Sequence, residues 1–219
     1  MYNFKLVSLG KLFILIIKYL AAPIIGSFRK ILNRSKWMAL SDKYGSIKLE
    51  LGSGGRIGRQ GWTTVDLGGS DISHDVTKKI PLPDNSVVEI YSSHLLEHLN
   101  FNQIMNLILD CKRLLVPGGK IRTAVPNAKL YFNAYESGIV LKANSEMYSP
   151  AVCNTKSLID QINYIAYMNG EHKYLFDSQN LVNIFKIAGF SEVKLTNFDP
   201  EIDPFDRKAE SIYCEARKC

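Results

Sequence analysis

Gly52-Ser53-Gly54-Gly55 follows directly on the apolar run Ile47 to Leu51, and a carboxylate, Asp66, closes the next run, Trp62-Thr63-Thr64-Val65. Glycines after a strand let the backbone turn sharply and approach a ligand, because a Cβ there would occupy the ligand's space. A carboxylate at the tip of a second strand can accept two ribose hydroxyls. Asp75, reached through the short stretch around Ile72, can accept from an adenine amino group. The dinucleotide fingerprint requires glycine at position 57, where the chain has Ile57, and the Gly-Lys-Ser or Gly-Lys-Thr of a phosphate-binding loop is absent. These residues therefore suit an adenosine that carries no phosphate.

Two histidines are placed to move a proton. His94 follows a strand-like run, Val87 to Tyr91, at the end of a sheet where open α/β proteins bind ligands, and His172 lies in Gly170-Glu171-His172-Lys173-Tyr174 ahead of the last helix. Either can serve as a base toward a hydroxyl acceptor. His94 can instead cap a helix or shape the pocket, and His172 can be an exposed loop residue. His94-Leu95-Leu96-Glu97-His98 also spells H-x-x-E-H, the inverted zinc-peptidase motif, which needs two imidazoles one helical turn apart. Glu97 and His98 otherwise read as packing or surface residues of that segment, and no metal is expected.

The elements that must position these residues alternate as in an α/β sheet, with short apolar runs separated by Gly and Pro from helix-like stretches. Pro81-Leu82-Pro83-Asp84-Asn85-Ser86 is a turn before the run at Val87, and Pro117-Gly118-Gly119 is a turn before Lys120 to Val125. Residues 127 to 180 are rich in aromatics (Tyr131, Phe132, Tyr135, Tyr148, Tyr164, Tyr167, Tyr174, Phe176) without an evident strand, and read as a helical lid or as plain packing.

Taken in order, these motifs resemble the class I S-adenosylmethionine-dependent methyltransferases, especially small bacterial ones with a methyltransferase type 11 domain, some of which modify sugars and glycans. The resemblance rests on Leu49-Glu50-Leu51-Gly52-Ser53-Gly54, Asp66, Asp75, the 81–86 turn, Leu95-Leu96-Glu97-His98, Leu115-Val116-Pro117-Gly118-Gly119 and the helix ending Ala188-Gly189-Phe190. It implies a Rossmann-like, seven-stranded, mostly parallel sheet with helices on both faces. The antiparallel C-terminal hairpin would come from Glu192 to Asn197 and Ser211 to Ala216. It implies S-adenosylmethionine as cofactor, held by Glu50, Gly52, Ser53, Gly54, Asp66, Leu67, Asp75, Ser92 and Ser93, with His94 and His172 as catalytic residues. The acceptor would be a hydroxyl of a small molecule or glycan precursor. A scaffold subunit that keeps the cofactor fold without turnover is the alternative of a different class.

One spacing departs from that pattern. Only Gly55 to Gly61 separate the first two strands, whereas a parallel crossover takes a dozen residues or more and contains a helix. The first helix is expected to be reduced to a turn or loop, which hands the cofactor's carboxylate to backbone amides and to Arg56 or Arg59. Those arginines read equally well as surface charge.

Length and charge bound the rest. At 219 residues the chain holds one catalytic domain, expected at 47–219, behind an N-terminal segment at 1–46. Residues 1 to 48 carry nine Lys or Arg against one acid, and the remainder carries 18 basic and 20 acidic residues. The catalytic part therefore has no surplus charge for gripping nucleic acid. Cys111, Cys153, Cys214 and Cys219 lie far apart without a C-x-x-C pair, as in reduced cytosolic proteins. Leu12 to Phe28 is nearly all apolar, broken by Lys18 and Pro23. Lys11 and Lys18 share a helical face, so residues 1–36 suit a helix lying in a membrane surface, with Arg29, Lys30, Arg34 and Lys36 toward anionic lipid. Packing on the domain, self-association into a homo-oligomer, a membrane span and a signal peptide compete for the same segment. The expected place is cytoplasmic, peripheral at the inner face of the cell membrane.

Overall fold

A computed structural model describes residues 33–142 and 155–219, in two compact units, 1–42 and 43–219. Of the first unit the described part is helical over 33–41 (α1), closed by the Ser41 hydroxyl on the Trp37 carbonyl at 2.9 Å. The apolar stretch Leu12 to Phe28, and with it the expected membrane helix, lies outside the described residues, as do Tyr148 and Cys153. Among the described residues no helix is long and apolar enough to cross a membrane.

The second unit is built on a seven-stranded sheet: β1 (Ile47–Leu51), β2 (Thr63–Asp66), β3 (Ile72–Ser73), β4 (Val87–Ser93), β5 (Leu115–Pro126), β6 (Ser191–Thr196) and β7 (Ser211–Arg217). Their order is β3-β2-β1-β4-β5-β7-β6. The first five run parallel, and β7 pairs antiparallel with both β5 and β6. Strand order reverses between β1 and β4, so the carboxyl ends of these strands open a crevice there. The expected hairpin is present, with bounds within one residue.

Among the described residues of this unit the α-helices are α2 (Phe101–Leu114), α3 (Ala128–Glu136), α4 (Ile159–Tyr167) and α5 (Ser178–Ile187). α2 buries Ile104, Leu107, Ile108, Cys111 and Leu114, a stripe at helical spacing. It starts at a capping box in which Asn100 and Gln103 exchange hydrogen bonds with each other's amides. Asp177 and Asn180 do the same for α5.

As the spacing required, the crossover from β1 to β2 contains no helix. Its absence explains an unusual sheet face. Central parallel strands are normally apolar on both sides, yet β1 reads IKLEL with only its odd positions fully buried. On the other face, Lys48, Glu89 and Lys120 stand in register across β1, β4 and β5. Glu89 bridges both lysines, at 3.1 and 2.8 Å. Glu50, Tyr91, Arg122 and Glu215 form the next row. The Arg122 side chain is 4% exposed and that of Asp203 0%, and they pair bidentately through one guanidinium edge, Nε and Nη2, on the two carboxylate oxygens. Tyr91, Thr196, Glu215 and the Asn197 carbonyl satisfy the remaining polar atoms. A polar network thus occupies sheet area that a crossover helix would otherwise cover.

Candidate active site

A cavity of about 390 Å³ opens at the carboxyl ends of the first strands. Gly52, Asp66 and Leu67 line it from the strand tips, His74 to Thr77 from the segment after β3, and Leu95, His98, Leu99 and Gln103 from the segment after β4. Gly170, Glu171 and Lys173 close another side. Two other hollows, of about 460 and 590 Å³, bring no pair of carboxylates to a glycine bend.

Gly52 adopts φ +72°, and a Cβ there would lie 2.8 Å from Leu95 Cδ1, so only glycine satisfies both the turn and the neighbour. Its amide donates to the Val65 carbonyl at 2.9 Å. Asp66 Oδ2 accepts from the Gly54 amide at 2.8 Å and Oδ1 from the Leu67 amide at 2.6 Å. A carboxylate has about four acceptor positions, so Asp66 shapes the bend and keeps capacity for ribose hydroxyls. Asp75 Oδ1 accepts from the Thr77 amide and hydroxyl at 2.9 and 2.7 Å. The Thr77 hydroxyl, outweighing slight burial, holds its pKa below the usual range.

The remaining expected cofactor residues divide into two groups. Ser53 is buried at the bend with a hydroxyl that has no hydrogen-bond partner, and Leu67, 72% exposed, forms an apolar rim. Gly54 contributes through its bond to Asp66. Glu50, Ser92 and Ser93 do not line the cavity. Glu50 stands on the polar sheet face, where burial raises its pKa against the pull of Arg59 and Arg56. Ser92 pairs with Thr123 inside the sheet, and Ser93 takes Arg207 at 3.3 Å. Their hydroxyls are consumed by holding neighbouring strands and the 199–207 segment.

The helixless crossover is pinned by its arginines. Arg59 lies between Trp62 and Tyr91, 4.0 and 4.4 Å from the ring centres, and donates to the Ile202 carbonyl at 3.2 Å. Arg56 pairs with Asp206 at 3.4 Å. Both therefore clamp 52–62 to 199–207, and neither reads as plain surface charge.

Beyond β4, His94 takes a left-handed φ of 53°, and its Nε2 meets the Ser211 hydroxyl at 2.7 Å. Burial, reinforced by Arg207, keeps its pKa well below the usual value. Leu96–His98 is a single 3-10 turn, so His94 and His98 are not stacked one α-helical turn apart, as the zinc-peptidase motif requires. His98 instead meets His172, with ring centres 5.1 Å apart. His172 is buried rather than exposed, its Nδ1 donating to the Ile165 carbonyl at 2.7 Å, and burial lowers its pKa. Glu97 is 2% exposed. Burial pushes its carboxyl up to about 8, against its backbone hydrogen bond and the charge of Arg207.

Of the expected lid, α3 and α4 pack through Tyr131 and Ile165, with Leu130, Leu141, Ile162, Tyr164 and Leu175 around them. Gln161 stitches the end of this unit, accepting from the Leu141 amide at 2.8 Å and donating to the Ile139 carbonyl at 3.0 Å. The chain after α4 is tied down where Lys173 and Tyr174 amides donate to the Glu97 carbonyl. Tyr131 and Phe176 are core residues, whereas Phe132, Tyr135 and Tyr167 are exposed.

The cavity suits the adenosine end of S-adenosylmethionine: two carboxylates, apolar walls of Leu67, Val76, Leu95 and Leu99, and a glycine whose Cβ would meet Leu95. Against known proteins, residues 59–123 match the family model described as a methyltransferase domain. No curated protein matches the chain. Similar solved structures include an S-adenosylmethionine-dependent methyltransferase from Archaeoglobus fulgidus, at 15% identity over 87% of this chain and 94% of that one, with TM-score 0.49. Another, from Mesorhizobium loti, shows 17% identity over 84% and 97%, also at 0.49. A phosphoethanolamine N-methyltransferase 2 from Haemonchus contortus, solved with S-adenosylhomocysteine, shows 14% identity, TM-score 0.46, and coverage of 80% of this chain and 50% of that one. Residues 59–123 thus match a methyltransferase domain within a sheet ordered β3-β2-β1-β4-β5-β7-β6, whose strand tips open onto the cavity.

Proposed function

We propose that the enzyme methylates a hydroxyl of a small molecule or glycan precursor, presented near a lipid surface. The observation that carries this reading is the cavity in which Asp66 and Asp75 face a glycine bend, with His98 in the same wall. When bound, the cofactor supplies an electrophilic methyl group on its sulfonium. Asp66 and Asp75 orient the nucleoside, and the walls exclude water from it. Hydroxyl methylation needs a proton acceptor. His94 and His172 both have pKa values lowered by burial, so their imidazoles are neutral near pH 7. The lipid part of the proposal rests on the basic, apolar residues 1–36.

Calorimetry with S-adenosylmethionine and its demethylated product tests the cavity, and a screen of hydroxyl acceptors by gain of a methylene in mass tests turnover. Binding without turnover on any acceptor favours the silent scaffold instead. Deleting residues 1–36 should leave cofactor affinity intact and abolish sedimentation with anionic vesicles; retained sedimentation would remove the lipid role.

A further inference from the structure

Glu97, His98 and His172 converge outside the cofactor residues. Each offers a ligand atom, and these atoms all lie within 4.8 Å of one another. Three independent features make this more than proximity. His98 Nδ1 lies 3.2 Å from the Glu171 carbonyl, and His172 Nδ1 lies 2.7 Å from the Ile165 carbonyl. A carbonyl only accepts, so Nδ1 carries a proton in both rings, and in the neutral form of each ring Nε2 carries the lone pair. Imidazoles that ligate metals are oriented in this way, through the other ring N–H on a carbonyl. The third feature is Glu97 itself, 2% exposed, with no other residue hydrogen-bonded to either carboxylate oxygen. An unpartnered buried carboxylate is costly. Around it stand the neutral His94 imidazole, with Nδ1 at 3.6 Å, and the charges of Arg207 and Glu210.

We propose that Glu97, His98 and His172 bind a divalent first-row transition-metal ion. Two imidazoles and one carboxylate suit zinc, manganese, cobalt or iron, whereas calcium and magnesium favour oxygen-rich sites. The scaffold is set by the backbone: the Glu97 carbonyl accepts the Lys173 and Tyr174 amides at 2.8 and 3.2 Å, fixing the turn that carries two ligands against the loop that carries the third. Three protein ligands leave coordination positions open, and His98 lines the cofactor cavity. An acceptor oxygen on such an ion would be drawn toward the reacting end of the site, and its hydroxyl would lose a proton more readily. Only that last role rests on the hydroxyl-methylation reading; the ion site does not.

Cobalt(II) titrated into the full-length, tag-free protein tests the site by its visible ligand-field absorption. One equivalent is expected to bind wild type, with the band lost in Glu97→Gln and in His172→Asn. The thermal midpoint and the far-ultraviolet circular dichroism of the same variants report whether they fold. If Glu97→Gln fails to fold, His172→Asn and His98→Asn carry the comparison. No band in wild type overturns the proposal, as does an equal band in the folded variants, which would place cobalt elsewhere, for instance at exposed Cys219. Cofactor binding without cobalt binding defeats the ion site alone, and cobalt binding without cofactor binding defeats the proposed function alone.

Discussion

The Asp66 carboxylate holds the Gly54 amide at 2.8 Å, so the tip of β2 fixes the shape of the bend that follows β1. Asp66 then has two tasks: it closes the bend and it faces the cavity. Asp66→Ala should weaken binding of the demethylated cofactor by about 1–3 kcal/mol, through lost charge-assisted hydrogen bonds. Because the bend also loses its tie, the thermal midpoint should fall as well. Calorimetry and a melting curve on one sample check both, and unchanged affinity would remove Asp66 from the site.

Gly52→Ala attacks the bend from the other side. The new Cβ would lie 2.8 Å from Leu95 Cδ1 on a backbone at φ +72°. Strain of this kind costs about 1–3 kcal/mol. Adding Leu95→Ala should relieve the contact and leave the backbone strain, so the double variant should recover part of the lost cofactor affinity. No difference between single and double variants would mean that packing against Leu95 is irrelevant.

Away from the cavity, the buried Arg122–Asp203 pair carries the polar sheet face. Removing one partner leaves the other charge uncompensated, at a cost of about 3–5 kcal/mol. Asp203→Leu should therefore lower the urea midpoint sharply. It should also loosen the 199–207 segment, in which Asp203 accepts the Asp199 amide. A midpoint close to wild type would show that Arg122 finds enough support in Thr196 and Glu215.

Much of this architecture is legible in the residues. The glycine bend, Asp66, Asp75 and the short crossover all announce themselves by local type and spacing, and Gly52, Asp66 and Asp75 line one cavity. Ser92 and Ser93 stand away from the cavity lining because their hydroxyls bond Thr123 and Arg207, distant in sequence. The burial of His172 depends on the Ile165 carbonyl across the end of α4, which no local pattern reveals. A usable signal did exist for the polar face. Charged residues at alternate positions of β1, β4 and β5 (Lys48 and Glu50, Glu89, Lys120 and Arg122) contradict a central parallel strand buried on both sides. Combined with the short crossover, they say that no helix between β1 and β2 covers that face.

The same face makes a pH prediction. Burial alone would raise the Glu89 pKa, but the ammonium groups of Lys120 and Lys48 outweigh it and set the pKa below the ordinary 4.5. Between the folded pKa and 4.5 the unfolded chain binds more protons than the folded one, so stability rises with pH across that window. The contribution of Glu89 is complete above 4.5 and is lost as pH falls through its folded value. Glu89→Gln should cost about 1 kcal/mol at pH 7, in keeping with partly exposed lysine partners. Its deficit relative to wild type should shrink as the medium is acidified below 4.5. Urea melts of both proteins from neutral to acid pH measure that difference, and a deficit independent of pH would mean that shape rather than charge at position 89 supports the sheet.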